Sequence, residues 1–128
     1  MASNVLVWSD IPVTDLERAS KFYAHVTEGA VMPMPGADGI ALIMGKNPPS
    51  PDGSEMVVSA DLYVGGTPSA DGPTIYFSAN GDIDGFVERV REAGGTVLDE
   101  KAFMGPMVGW IAFFLDTEGN RIGVQQPG

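Results

Sequence analysis

Self-similarity between the two halves of the chain constrains the fold more than any other feature. The stretch 108–126, VGWIAFFLDTEGNRIGVQQ, reads as two β-strands joined by a tight polar turn. Trp110 to Leu115 is bulky and β-prone, as a strand buried on at least one face should be. Asp116-Thr117-Glu118-Gly119-Asn120 then supplies acceptors for local side-chain bonds and two residues that tolerate positive φ. Arg121 to Gln126 follows as a shorter second strand. Upstream, Ile40-Ala41-Leu42-Ile43-Met44-Gly45 matches Ile111-Ala112-Phe113-Phe114-Leu115-Asp116 nearly position for position.

The rest of the chain extends that echo into a repeat. Val5 to Val13 is a first strand, and Thr14-Asp15-Leu16-Glu17 reads as a capping box in which Thr14 caps the helix and Glu17 bonds back. Leu16, Ala19, Phe22, Tyr23 and Val26 share one helical face, and Gly29 is the residue expected to turn left-handed at its end. Strands over 30–45 surround a turn at Gly36 to Gly39, the proline-rich stretch 46–53 is a loop, and Ser54 to Val64 is a further strand. The segment 65–73, GGTPSADGP, is linker-like. Beyond it the order repeats: a strand at Thr74 to Ala79, then a helix capped by Asp82 with Ile83, Phe86, Val87 and Val90 on its buried stripe. A strand at Thr96 to Phe103 and the closing hairpin complete it. The chain is therefore one α+β domain over 1–128, made of a βαβββ module over 1–64, a linker over 65–73 and a second module over 74–128. One such unit leaves its sheet half-covered. The two are expected to join edge to edge into a curved mixed sheet, a cup with the helices outside.

Composition narrows the partners. With 17 acidic against 7 basic residues the formal charge is −10, which disfavours nucleic acid and would attract a cationic ligand. The absence of cysteine excludes disulfides, thiolate nucleophiles and cysteine-type zinc sites. No apolar run approaches the ~20 residues that span a bilayer, and no basic-then-apolar leader opens the chain, so no membrane association and cytoplasmic residence are expected. Ser9, Ser59 and Ser78 have no histidine to serve as base, and the glycine pairs 65–66 and 94–95 lack the pattern of a phosphate loop.

IPVTDLERASKFY together with the distal FFLDTEGNRIGVQQP resembles the vicinal oxygen chelate superfamily of glyoxalases, bleomycin-resistance proteins and extradiol dioxygenases. The resemblance implies two βαβββ modules, a homodimer, and a divalent metal held by His and Glu on the first and last strand of each module. Carried across, the first-strand ligands fall seven residues before the helix-opening aspartates, on Trp8 and Ile75. The last-strand ligand falls on Gly123, and its counterpart in the first module near Val57, within one or two positions. None of these side chains binds a metal, and the single histidine, His25, lies inside the first helix. Neither a metal nor another cofactor is expected.

The cup is then read as a pocket for a small aromatic or cationic molecule. Trp8, Ile75, Phe77 and Trp110, with Leu6 and Met107, are expected to form its walls, and Asp10, Arg121 and Gln125 its polar groups. Asp10 is expected to pair with Arg121 or to stay solvated. Glu55, Asp61 and Glu118 are placed near the mouth, where an oxygen-only magnesium or manganese site is the alternative. No catalytic residue is assigned. The competing reading is a lyase, isomerase or dioxygenase-type enzyme with relocated carboxylates or a metal-free mechanism.

Overall fold

The structure, a computed structural model, describes residues 5–45 and 60–128. The first module comprises β1 (Asp10–Val13), α1 (Leu16–Thr27), β2 (Ala30–Pro33), β3 (Ile40–Gly45) and β4 (Ala60–Val64). The second comprises β5 (Ile75–Ser78), α2 (Ile83–Glu92), β6 (Thr96–Phe103), β7 (Trp110–Leu115) and β8 (Arg121–Gln126). This is the α+β arrangement of two βαβββ modules that the repeat requires. Each forms a four-stranded mixed sheet, ordered β1-β4-β3-β2 and β5-β8-β7-β6, whose first and last strands run parallel. Among the described residues no helix is long and apolar enough to cross a membrane.

The two ladders stay separate. The expected edge-to-edge continuation is not hydrogen-bonded, and β1 offers a poor edge for it. Pro12 has no N–H to donate, and its carbonyl accepts the Asn120 side-chain amide at 2.8 Å. The modules are joined instead through a shared core. Phe114 of β7 touches both helices, with ring centroids 6.0 Å from Phe22 and 5.9 Å from Phe86. Tyr23 of α1 lies 5.6 Å from Phe77 of β5. Ile11, Val13, Val26, Leu62, Val90, Ile122 and Val124 complete this core, each nearly inaccessible to solvent. Fully burying a side chain of this size contributes about 1.5–3 kcal/mol, so the shared interior makes the modules one cooperative unit.

Three local expectations are corrected. Asp15, not Thr14, caps α1, accepting the Arg18 amide at 3.0 Å. Thr14 is engaged elsewhere: its amide and hydroxyl both donate to Glu118 Oε1 at 2.9 Å. Glu28, not Gly29, takes the left-handed conformation after α1, with φ of 53°. Gly29 is needed for a different reason, because a Cβ there would collide with the backbone of Gly45. β1 begins only at Asp10, and Val5, Leu6 and Val7 lie exposed ahead of it. The expected strand at Ser54 to Val64 is described from Ala60 on; its earlier part and the loop before it lie outside the described residues.

The hairpin turn of β7–β8 ties the second module to the first. Glu118 Oε1 also accepts the Asp15 amide at 2.9 Å, and Arg18 Nε donates to Oε2 at 2.8 Å. Burial alone would raise this carboxyl. The bonds from Arg18, Asp15, Thr14 and Thr117 outweigh that effect and hold it at about 2, below its usual 4.5. A carboxylate depressed in the folded state stabilises the fold fully above pH 4.5 and loses that contribution as pH falls toward 2. Glu118→Gln should therefore lower the unfolding free energy by about 1–3 kcal/mol near pH 7. The difference should shrink as urea denaturation is repeated at lower pH. An unchanged midpoint at neutral pH would contradict this anchoring role.

Candidate functional site

Strand alternation gives each sheet one face packed on the helices and one open face. On β7, Ala112 and Phe114 face the core, so Ile111, Phe113 and Leu115 face outward. On β8, Ile122 and Val124 are buried in the core, which places Arg121, Gly123 and Gln125 on the open face. Register then brings Tyr76 opposite Gly123, and Gly123 opposite Phe113. The Tyr76 ring covers Gly123 so closely that a Cβ there would lie 2.5 Å from Cδ2. Tyr76 meets Phe113 edge-on at 5.7 Å, and the Arg121 guanidinium stacks 4.1 Å from the Phe113 centroid. Arg121 Nη1 also donates to Thr74 Oγ1 at 2.6 Å. Tyr76, Phe113 and Arg121 thus form an aromatic and cationic floor. Beside it, Tyr76, Phe77, Ser78, Val108, Ile111 and Gln125 line a cavity of ≈ 370 Å³.

The ladders equate the two modules residue by residue. Asp10–Asp61–Leu42 in the first sheet corresponds to Tyr76–Gly123–Phe113 in the second. Where the second module carries aromatic rings, the first carries two neighbouring carboxyls. Asp61 is 6% exposed, and its Oδ1 has no hydrogen-bond partner. Burial, followed by the hydrogen bond and charge of Asp10, pushes Asp61 up to about 6. The Trp8 indole N–H donates to Asp10 Oδ1 at 3.2 Å. Between the sheets, a groove of ≈ 260 Å³ is lined by Asp10, Pro12, Asp71, Ile75, Arg121 and others.

The residues expected to line the cup are therefore dispersed. Trp8 and Asp10 adjoin each other ahead of and on β1. Asp10 and Arg121 border one groove without an ion pair between them, and Asp10 is exposed, the other arrangement expected of it. Gln125 donates to the Val108 carbonyl at 2.6 Å on the wall of the β5 cavity. Ile75 and Phe77 pack toward the core, although Ile75 reaches the inter-sheet groove and Phe77 the cavity. Trp110 lies on the helix side, 5.2 Å from Phe103 and beneath Lys101. Leu6 and Met107 are almost fully exposed. Glu118 is occupied at the α1 terminus instead of the mouth, and Glu55 and Val57 lie outside the described residues. His25 sits on the outer face of α1, 2.8 Å from Glu92.

Tyr76 and Phe113 escaped sequence reasoning because counting back seven residues assumes identical strand-to-helix turns. Thr14 and Asp15 separate the inward Val13 from α1, whereas Asn80, Gly81 and Asp82 separate the inward Ala79 from α2. The extra residue is accommodated by left-handed φ at Asn80 and Gly81, 52° and 81°. It moves the counterpart of Trp8 from Ile75 to Thr74. The same ladders place the counterpart of Gly123 at Asp61.

The sequence matches the family described as the Glyoxalase/Bleomycin resistance protein/Dioxygenase superfamily over residues 5–124. It is 34% identical over 123 residues to a glyoxylase-like domain-containing protein of Didymella fabae, spanning 93% of this chain and 91% of that one. A glyoxalase/bleomycin resistance protein from Albidiferax ferrireducens shares the fold, with a TM-score of 0.68 at 19% identity over 94% of this chain and 97% of that one. So does the fosfomycin resistance protein FosX from Listeria monocytogenes, complexed with manganese(II) and sulfate, with a TM-score of 0.68 at 14% identity over 100% and 93%.

The contact of Tyr76 with Gly123 makes a direct prediction. Gly123→Ala should destabilise the protein by about 1–3 kcal/mol, the usual cost of overpacking. In a Tyr76→Ala background the same change should cost little. A double-mutant cycle in urea measures the coupling, and additive effects would show that the ring does not rest on this glycine.

Proposed function

We propose that this chain, which belongs to the Glyoxalase/Bleomycin resistance protein/Dioxygenase superfamily, binds a small aromatic molecule on its open face without a divalent metal. The observation that carries this reading is the Tyr76 ring lying over Gly123, at the position where the resemblance calls for a metal-binding glutamate. A side chain that would reach into the site is replaced by a flat aromatic surface.

The residues present do not fit the metal that such proteins hold. Gly123 offers no donor, Thr74 is engaged by Arg121, and Trp8 presents only an indole N–H. Asp61 and Asp10 are two carboxyls, and among the described residues no group of three His, Cys, Asp or Glu side chains converges. Calcium generally takes six to eight oxygens, more than this pair supplies.

The floor instead suits a ring. Phe113 and Tyr76 offer an edge and a face, Arg121 extends the stack, and Ser78 and Gln125 supply polar contacts at the wall. A few fixed polar groups on an apolar wall, in a cavity within the usual range of roughly 300–1,000 Å³, is the general make-up of a small-ligand site. Stacking on such a pair contributes about 0.5–1.5 kcal/mol beyond area burial.

Titration with indole, a neutral bicyclic aromatic, tests this by NMR. The ring resonances of Tyr76 and Phe113 should shift in a saturable way, and Tyr76→Ala should weaken binding about tenfold, or 1.4 kcal/mol. Shifts absent from the open face, or unaffected by Tyr76→Ala, would overturn the reading.

A further inference from the structure

The cavity beside the aromatic floor carries one side chain whose two polar atoms are held in a fixed order. Gln125 stands on the open face of β8, opposite Ser78 of β5 on one side and Ile111 of β7 on the other. All three line the cavity of ≈ 370 Å³, together with Tyr76, Phe77 and Val108. Gln125 Nε2 donates to the Val108 carbonyl at 2.6 Å. A carbonyl only accepts, so the amide nitrogen lies on that side and the amide oxygen on the other. Among the described residues no donor reaches that Oε1.

Other polar groups of the wall are engaged locally. Ser78 Oγ accepts the Asn80 amide at 3.1 Å and donates to Asn80 Oδ1 at 3.3 Å. The loop that carries Val108 is braced from within, because the Met104 amide donates to the Gly109 carbonyl and the Gly109 amide to the Gly105 carbonyl, each at 2.7 Å. Phe77, Val108 and Ile111 present only apolar side chains to the cavity.

We propose that Gln125 is a specificity-determining residue of this face, and that the ligand is an aromatic ring bearing an N–H or O–H that it donates to Gln125 Oε1. This rests on the reading of the face as a small-aromatic site and adds the ligand's polar group. An unconstrained glutamine accepts or donates equally well, because its amide can turn over. Here the turn would break the bond to Val108 and set two oxygens against each other, so the side chain offers an acceptor alone. A ligand that fills the cavity displaces water from Oε1, and an acceptor covered without a new donor loses its hydrogen bonding outright. Rings with only acceptors are excluded by the same geometry.

The spacing along the strand agrees. Gln125 lies two residues beyond Gly123, the position covered by the Tyr76 ring. Two strand residues span roughly 7 Å, about the length of a fused bicyclic ring or of one ring with a short polar substituent. A ring resting on Tyr76 and Phe113 therefore brings its N–H or O–H to Gln125.

Indole and benzofuran, which differ in an N–H against a ring oxygen, provide the test when titrated separately into the full chain by NMR. Tyr76 and Phe113 ring resonances report on the floor. Indole should bind about fivefold more tightly than benzofuran, the worth of one neutral hydrogen bond. Its N–H should show an intermolecular NOE to the Gln125 side chain. Gln125→Met should bring the two affinities together by weakening indole, and Tyr76→Phe, which removes the other hydroxyl at the wall, should keep their ratio. Thermal melts establish that each variant is folded, and the NOE in the unaltered chain decides the matter should Gln125→Met fail to fold. Equal affinities, with Tyr76 and Phe113 still shifting, would overturn the role of Gln125 but leave the aromatic floor standing. A preference that persists in Gln125→Met, or is lost in Tyr76→Phe, would also overturn it. Silence at Tyr76 and Phe113 with both compounds would refute both readings.

Discussion

The turn between β7 and β8 holds the molecule together through a buried polar cluster on which the rest of the architecture depends. Asp116 Oδ2 accepts the Tyr23 hydroxyl at 2.6 Å and the Asn120 side-chain amide at 3.0 Å. Its Oδ1 accepts the amides of Glu118 and Asn120 at 2.8 and 2.9 Å. Asn120 in turn reaches Pro12 of β1 and receives the Ser69 amide from the linker. A buried carboxylate is costly unless its lone pairs are occupied, and here all are engaged. The cluster also raises Tyr23 well above its usual value, through burial first and the Asp116 charge second, so the phenol remains a donor. Five consecutive residues thereby fix helix, first strand and linker against the second module.

This anchoring explains why a single chain can keep two similar modules with dissimilar open faces. The core side of both sheets is committed to packing, and Phe114 between the two helices leaves little room for change. The open faces are free to diverge. At equivalent register the first module holds Asp10 and Asp61, the second Tyr76 and Gly123. Asp10 of the first module and Arg121, which stacks on the Phe113 ring of the second, border one groove.

Much of this was legible in the sequence, because the repeat, the two helical stripes and the closing hairpin are local patterns. Ile83, Phe86, Val87 and Val90 recur at helical spacing and are all buried in α2. Two misreadings share one cause, contacts made with residues outside the local motif, and a third comes from the length of a turn. Thr14 looked like a cap because Glu118, 104 residues away, was out of view. Gly29 looked like a left-handed stop when its real constraint was the backbone of Gly45. The open face was misassigned on β5 because one added residue at Asn80-Gly81 flips alternation, and period-two patterns forgive no slip. In the structure the buried Ala79 fixes the parity of the strand, which places Tyr76 and Ser78 outward.

On the proposed reading, an aromatic floor lies where the resemblance calls for a metal. Calorimetric titration of protein purified without chelator or affinity metal, using manganese, zinc, nickel and magnesium, tests it most directly. The expected result is no binding tighter than roughly millimolar, about −4 kcal/mol. One ion per chain bound at micromolar concentration, and lost in Asp61→Asn, would contradict it.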